Sequence, residues 1–560
     1  MFAGITEQRK LRIISANGIS PFFRSKLEIY DQIIAGSCGQ SVLVVLTLDV
    51  LNRVPELGLT NKKVYNIQNS DMTSHMCLFM LVSWLLSASA LVSPQGHSAG
   101  LRALSGPMTT PMTFCISERG LIPPRNSKRS ALSMVVQVPE KSSKYRFSLG
   151  KLAFSGLPLS PEAVDRRKTI LKEVVKNTIW TLDQVQGIIN VNVPVRCTVV
   201  KLSGGGLFVN NPIAPTPEAI EMMRELEAAH GPVKIICLST IAIEHKGTTG
   251  AFSAAFPESE VYLQPGQYAF PVNLPSAFFF PLGKTIKEIP EKSENAPWAD
   301  DFDHHSMPLL KPPGVGGFTE TAFFHKATGT LLVTDTVQKI EDEPPAIIQE
   351  DPRALLYHAR DTMYDLVEDT PASRRRGWRR MVLFGLTFQP SGINVLDSLE
   401  SLKAAQTVDP EMKKLGEGAV PFSGGFYPWE WVEDDLPAFK ALQGGLLVAP
   451  ILQKLILNRE PEKVLAWADR VAKWPIKRII PCHLANDIQA TGGDFRRAFN
   501  FLEDLQEGGG GGLASLFGAV RGEAKAPQGR DTDVAFLSDV SRQLTEQGVL
   551  FPEAPLVKRC

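Results

Sequence analysis

Leu331-Leu332-Val333-Thr334-Asp335 and Ile479-Ile480-Pro481-Cys482-His483 decide how this chain is read. Each is a short apolar run with the composition of a buried strand, and each delivers one ligand-type residue at its C-terminal end. A third run, Ile235-Ile236-Cys237-Leu238-Ser239, leads into Ile243-Glu244-His245-Lys246-Gly247. Carboxylates and imidazoles set at the ends of separate strands are what a sheet can gather into one chelating site.

Around these runs, strand and helix patterns alternate. Val195–Leu202 reads as a strand, Ser203-Gly204-Gly205-Gly206 as a turn and Leu207-Phe208-Val209 as the returning strand. The three glycines are not followed by Lys-Ser/Thr, so they are no phosphate loop. Thr216-Pro217-Glu218 is a helix start, with the helix running through Ala229. Val233–Ser239 is then a strand, followed by a loop with Glu244 and His245, a short helix to Phe256, and strand Glu260–Leu263. Ala322–His325 and Thr330–Thr334 form a second hairpin. Ser160, Pro161 and Glu162 open a helical segment that reaches Asn177. Residues 340–355 are acidic, Pro-rich and expected to be loop, 353–413 helical with breaks, and 414–436 irregular. Helix Pro461–Lys473, strand Arg478–Pro481 and helix Phe495–Leu505 follow. Gly508–Gly512 is a linker before a short helical tail. Such alternation specifies an α/β protein with helices outside the sheet.

The strand ends resemble the metallo-β-lactamase motifs. Against His-x-His-x-Asp-His-x-Gly, His245 and Gly247 match and Glu244 stands for the Asp. Thr240 and Ala242 replace two histidines. Asp335 matches the bridging Asp and His483 the last His. The remaining His falls on Gly317 or Phe318 and is absent, and Asn210-Asn211 lies where the first motif's Asp would be. The resemblance implies an αββα sandwich with a mostly helical insertion at about 340–440. In the binuclear site of that class, one ion takes three histidines, and all three are missing. The positions of the other survive as Glu244, His245, Asp335 and His483, a candidate site for one Zn or Fe ion. Longer strings are similar to the domain of unknown function 4336 family. They are Ile179–Gly187, Val193–Val199, Ala296-Pro297-Trp298-Ala299-Asp300, Phe323-Phe324-His325, Lys477–His483 and Asp494-Phe495. The resemblance covers about residues 175–505 and implies a fold rather than a reaction. Two readings stand. One is a degenerate or single-metal site with no ordinary lactamase activity. The other is an atypical mononuclear metallohydrolase acting on a small ester, thioester or phosphoester.

Other ligand-type residues read as structural. Asp300-Asp301-Phe302-Asp303-His304-His305 is expected to be a polar surface loop. Arg374-Arg375-Arg376-Gly377-Trp378-Arg379-Arg380 reads as a solvated loop or helix start. Cys482 and His483, adjacent at a strand end, point to opposite faces and make a poor thiolate–imidazole pair. Seven cysteines with no Cys-x-x-Cys exclude zinc ribbons and suit a reducing compartment. Fifty-nine basic residues balance 59 acidic ones, which gives no case for a nucleic-acid partner. The expected partners are an unidentified small molecule or a plastid protein.

The first 150 residues look like addressing. No Asp, Glu, Lys or Arg occurs from Met72 to Leu101, and Met76–Leu86 is an apolar block followed by Ala88-Ser89-Ala90. Residues 91–150 hold ten Ser and eight Lys or Arg against two acids. This order, 72–90 signal-like and 91–150 transit-like, resembles the bipartite plastid presequence of algae with secondary plastids. Residues 1–71 are then expected to be a gene-model extension. The mature domain runs over 151–506 with no membrane span, and 507–560 is linker and tail. The alternative is a membrane anchor in the secretory pathway.

Overall fold

The computed structural model describes residues 168–188, 190–267, 280, 284–310, 317–415, 425–504 and 526–558. The addressing region, the Ser160 helix start and the Gly508–Gly512 linker lie outside them.

Two sheets form the frame. The first contains β1 (Ile170–Val175), β2 (Ile179–Ile188), β3 (Val191–Lys201), β4 (Leu207–Asn210), β5 (Val233–Leu238), β6 (Glu260–Leu263) and β7 (Ile286–Glu288), side by side in that order. β1 to β4 are antiparallel neighbours, while β4 to β7 run parallel. The second sheet holds β8 (Phe302–Ser306), β9 (Thr321–His325), β10 (Thr330–Leu332), β13 (Arg478–Ile480) and β14 (Ile488–Gln489). Its order is β14-β13-β10-β9-β8, with β10 and β13 parallel. Between these last two in sequence lies the insertion, which carries a small ribbon of β11 (Ile393–Val395) and β12 (Trp429–Trp431).

Period-two burial explains the layers. Phe208, Ile235 and Cys237 from the first sheet meet Phe302, Phe323, Leu332 and Ile480 from the second in one core. Their sequence neighbours Leu207, Val209, Ile236 and Leu238 point the other way. They pack with α1 (Pro217–His230) and α2 (Ile243–Ala255). On the far side, Leu331 and Ile479 pack with α5 (Pro461–Val471) and α6 (Gly492–Arg497), through Val464, Trp467, Ala468 and Phe495. The fold is therefore an αββα sandwich. Strands covered on both faces are uninterrupted apolar runs, as the quoted stretches are.

The insertion has its own core around Leu355, Trp378, Leu383, Tyr427 and Phe439. Its main helices are α3 (Arg353–His358) and α4 (Pro371–Thr387), the latter capped by Thr370, which accepts from Ser373 N. A C-terminal helix, α7 (Asp531–Glu546), docks through Asp533, which accepts from Ser391 Oγ. No helix of the described residues is long and apolar enough to cross a membrane.

Several expectations need correction. Residues 170–175 are strand, not helix, because pairing with β2 overrides the local signal. Residues 340–355 include a helical turn at Ala346–Gln349 and the start of α3. The expected helix at Phe495–Leu505 starts earlier, where Thr491 and Asp494 form a capping box, and ends by Arg497. Phe302–Ser306 is a strand, not a surface loop. The basic cluster lies inside α4, where Arg380 is buried between Asp361 and Asp435.

Candidate metal centre

Four connections converge where β4, β5, β10 and β13 end. Glu244 and His245 sit on the first turn of α2, not in a loop before it. Asp335 follows β10, and His483 follows β13. The structure brings all four together, with one ligand atom from each lying within 4.8 Å of the others. It is the one such group among the described residues.

His483 is the hub. Its Nδ1–H donates to the Pro194 carbonyl at 2.8 Å, which fixes the tautomer and turns Nε2 inward. That Nε2 stands 3.0 Å from Asp335 Oδ1 and 3.3 Å from His245 Nε2. Ligand atoms at roughly 2.0–2.1 Å from a tetrahedral zinc ion stand about 3.3 Å apart. Both separations fall near that edge length. His245 is fully buried, while Asp335 and His483 are 9% and 8% exposed, so the cluster sits just below the surface.

The electrostatics are strained in a way a cation relieves. Burial first, then the charge of Asp335, pushes the Glu244 carboxyl up to about 7. Burial pushes His245 down to about 3. Burial also opposes charge on Asp335 and His483. Their mutual hydrogen bond and attraction outweigh it, holding Asp335 below its usual range and lifting His483. Glu244 Oε2 and His245 Nδ1 remain buried with no hydrogen-bond partner. A proton on His483 satisfies the Asp335 contact and leaves these two atoms orphaned. A cation between the four residues would give Glu244 a partner and satisfy the facing Asp335 carboxylate and the two Nε2 atoms together, so the donor set fits a metal. His245 Nδ1, on the other side of its ring, is not reached by it.

Two residues that the motif reading passed over hold His483 and Asp335 in place. Arg196 is 1% exposed. Its guanidinium clamps Asp183 through Nε and Nη2 at 2.8 and 3.0 Å. It also donates to the carbonyls of Pro481, Leu484 and Ala485 at 2.7, 3.0 and 3.3 Å. The loop carrying His483 is thus tied to β2 and β3, with Leu484 held at φ 55°. Glu320 accepts from the backbone N–H groups of Thr334, Asp335 and Thr336 and from the Thr336 hydroxyl. It pins the turn on which Asp335 rides. A signal for Arg196 was present in the sequence: a lone cation inside the apolar run Val195-Arg196-Cys197, in register with Asp183.

The half of the motif that lost its histidines is filled by a different chemistry. Asn211, in the left-handed region at φ 49°, donates to Ser239 Oγ and Thr334 Oγ1 at 2.8 and 3.0 Å and approaches Cys482 Sγ at 3.3 Å. Its Oδ1 accepts from Ser239 N at 2.9 Å. Thr240 Oγ1 accepts from Ala242 N, and Phe318 is a core residue. This hydroxyl and amide network ties the strand ends without a metal. Burial raises the Cys482 thiol far above its ordinary value, so it is no nucleophile. His304 is committed elsewhere, donating to the Pro290 carbonyl and accepting from the Trp298 indole. A cleft of about 370 Å³, lined by Gly204, Lys234, Glu258 and Asp301 among others, lies at the opposite end of β5 and touches none of the four ligand-type residues.

The sandwich and its strand-end cluster define a protein of the metallo-β-lactamase fold. The family model for a domain of unknown function (DUF4336) matches residues 176–501, and the chain belongs to that family. Among solved structures, a flavo di-iron protein variant from Thermotoga maritima is 10% identical, with TM-score 0.30. The match covers 60% of this chain and 62% of that one, so it spans about three fifths of the flavo di-iron chain. A metal-soaked Flv1 flavodiiron core from Synechocystis is 8% identical, with TM-score 0.30 and 60% of each chain covered. The mono-zinc form of the metallo-β-lactamase FIM-1 from Pseudomonas aeruginosa is 9% identical, with TM-score 0.24, covering 30% of this chain and 70% of that one. No curated protein matches the chain.

Proposed function

We propose that this protein holds a single divalent ion, Zn(II) or Fe(II), through Glu244, His245, Asp335 and His483. We further propose that it hydrolyses a small ester, thioester or phosphoester without lactamase activity. The observation that carries the reading is the convergence of four ligand-type atoms within 4.8 Å, with His483 Nε2 at 3.0 Å from Asp335 and 3.3 Å from His245, near a tetrahedral edge. When bound, such an ion supplies Lewis acidity and a source of hydroxide near neutral pH. The chain's own residues supply the rest. Pro194 fixes the His483 tautomer, Arg196 holds its loop, and Glu320 holds the Asp335 turn.

A second reading, a metal-free binding protein, is favoured by the direct Asp335–His483 pair, which closes half of the cluster without an ion. Metal analysis of the purified protein separates the two. One equivalent of Zn or Fe is expected, with His245→Ala and His483→Ala each losing it while remaining folded by circular dichroism. A folded, metal-free parent whose stability is unchanged by added zinc would falsify the metal reading.

We also propose that the protein works in a plastid of an alga with a secondary plastid, on the composition of residues 72–150. N-terminal sequencing of the mature protein should give an end at or beyond residue 91. A mature end well upstream of it would defeat that placement.

A further inference from the structure

Six large apolar residues stand well exposed among the described residues, and four of them fall at one junction of the insertion. They are Tyr364, Leu366, Val432 and Leu436, at 64%, 65%, 64% and 41%. Their two segments, residues 361–370 and 430–436, lie side by side. Trp431 N–H donates to the Asp361 carbonyl at 2.9 Å. Arg380 spans the seam, with Nη2 2.7 Å from Asp361 and Nε 3.1 Å from Asp435. The two segments that carry these apolar side chains are therefore held together along one seam, locked by Arg380.

The same two segments contain eight acids and no Lys or Arg. Arginines of α4 neutralise Asp361, Asp369 and Asp435. Asp365 is spent on the backbone N–H groups of Asp361 and Thr362. Glu368, Glu430, Glu433 and Asp434 have no ion pair among the described residues. Arg530, the cation that feels Glu433, is already clamped on Asp533. Exposed apolar side chains rimmed by unneutralised acid, in a chain with no net charge, mark a surface shaped for a partner.

We propose that this junction is a docking surface for a basic, apolar-faced segment of another polypeptide. Tyr364, Leu366, Val432 and Leu436 supply the apolar centre, and Glu368, Glu433 and Asp434 the rim that Lys or Arg side chains meet. The acid rim repels phosphate backbones and anionic lipid. A second copy is disfavoured because a two-fold pairing of this patch sets acid against acid.

The test uses the full chain and two short fluorescein-labelled peptides, one alternating lysine and leucine, the other glutamate and leucine. Fluorescence anisotropy should show the basic peptide binding, more weakly as salt is added, and the acidic one not. Leu366→Ser combined with Val432→Ser, or Glu433→Lys combined with Asp434→Lys, should each weaken binding roughly tenfold or more. All four positions are exposed, so the fold is not at stake; unchanged circular dichroism checks this. Equal binding of both peptides, no binding, or affinity untouched by either pair of substitutions overturns the proposal. A concentration-dependent dimer in sedimentation that Leu366→Ser and Val432→Ser abolish also overturns it, in favour of self-association.

Discussion

The imidazole of His483 is oriented by one carbonyl, that of Pro194, but the loop beneath it depends on Arg196. Removing that guanidinium strips donors from three carbonyls and leaves Asp183 without its partner. Arg196→Met should therefore cost about 2–4 kcal/mol of stability and weaken metal binding roughly 10–100-fold, as loss of an orienting contact does. Arg196→Lys should rescue little, because a point charge cannot reproduce the fork. Denaturant unfolding and zinc titration read both effects, and a variant that binds zinc as tightly as the parent would rule out the positioning role. The four ligand-type residues were legible because each ends an apolar run. Arg196 showed only as a lone cation in an apolar run, and its role and that of Glu320 were not legible, because they act on backbone groups brought near only by folding: Arg196 reaches across 285 positions to Pro481.

Among the elements, α2 and the insertion helices depart most from sequence expectation. Glu244 and His245 look like a loop, since Ala242 offers no capping side chain. The helix starts there because Phe252 and Ala255 further along pack on the first sheet. In the insertion, α3 and α4 cross so closely that a Cβ on Gly377 would lie 1.8 Å from the Leu355 carbonyl oxygen. Gly377→Ala would gain up to about 1 kcal/mol of helix propensity and force the two helices apart at a cost of about 1–3 kcal/mol or more. A net loss is expected, seen as a lower urea midpoint with an unchanged slope. A midpoint that rises instead would show that the helices separate freely. The glycine inside the arginine cluster, read as part of a solvated start, is thus a packing residue.

At the scale of the whole molecule, the cluster joins the two sheets. Glu244 and His245 come from the first sheet's side, and Asp335 and His483 from the second's. The bridge of Thr240 to Glu320 and the bond from Thr321 N to the Ser239 carbonyl stitch the same edge. An ion held there binds only the folded sandwich, so free zinc at a hundredfold over its Kd should add about 2.7 kcal/mol to unfolding. A chelator should lower the melting temperature of the protein as purified, and zinc should restore it. Identical melting curves with and without chelator would mean that nothing binds across the sheets. The melting of the His483→Ala variant should not respond to either.

The sequence by itself determined the layers. Runs that are apolar at every position can be stable only between two covered faces, and ligand-type residues at their ends can meet only at one edge of a sheet. It also placed Glu244, His245, Asp335 and His483 as a set. The tertiary structure decided what surrounds that set: the hydroxyl and amide network through Asn211 that occupies the histidine-poor half, the Arg196 and Glu320 clamps, and the acid-rimmed apolar junction of the insertion. Those features come from contacts between residues distant in the chain, and a linear pattern of polarity carries no record of which distant groups will share a hydrogen bond.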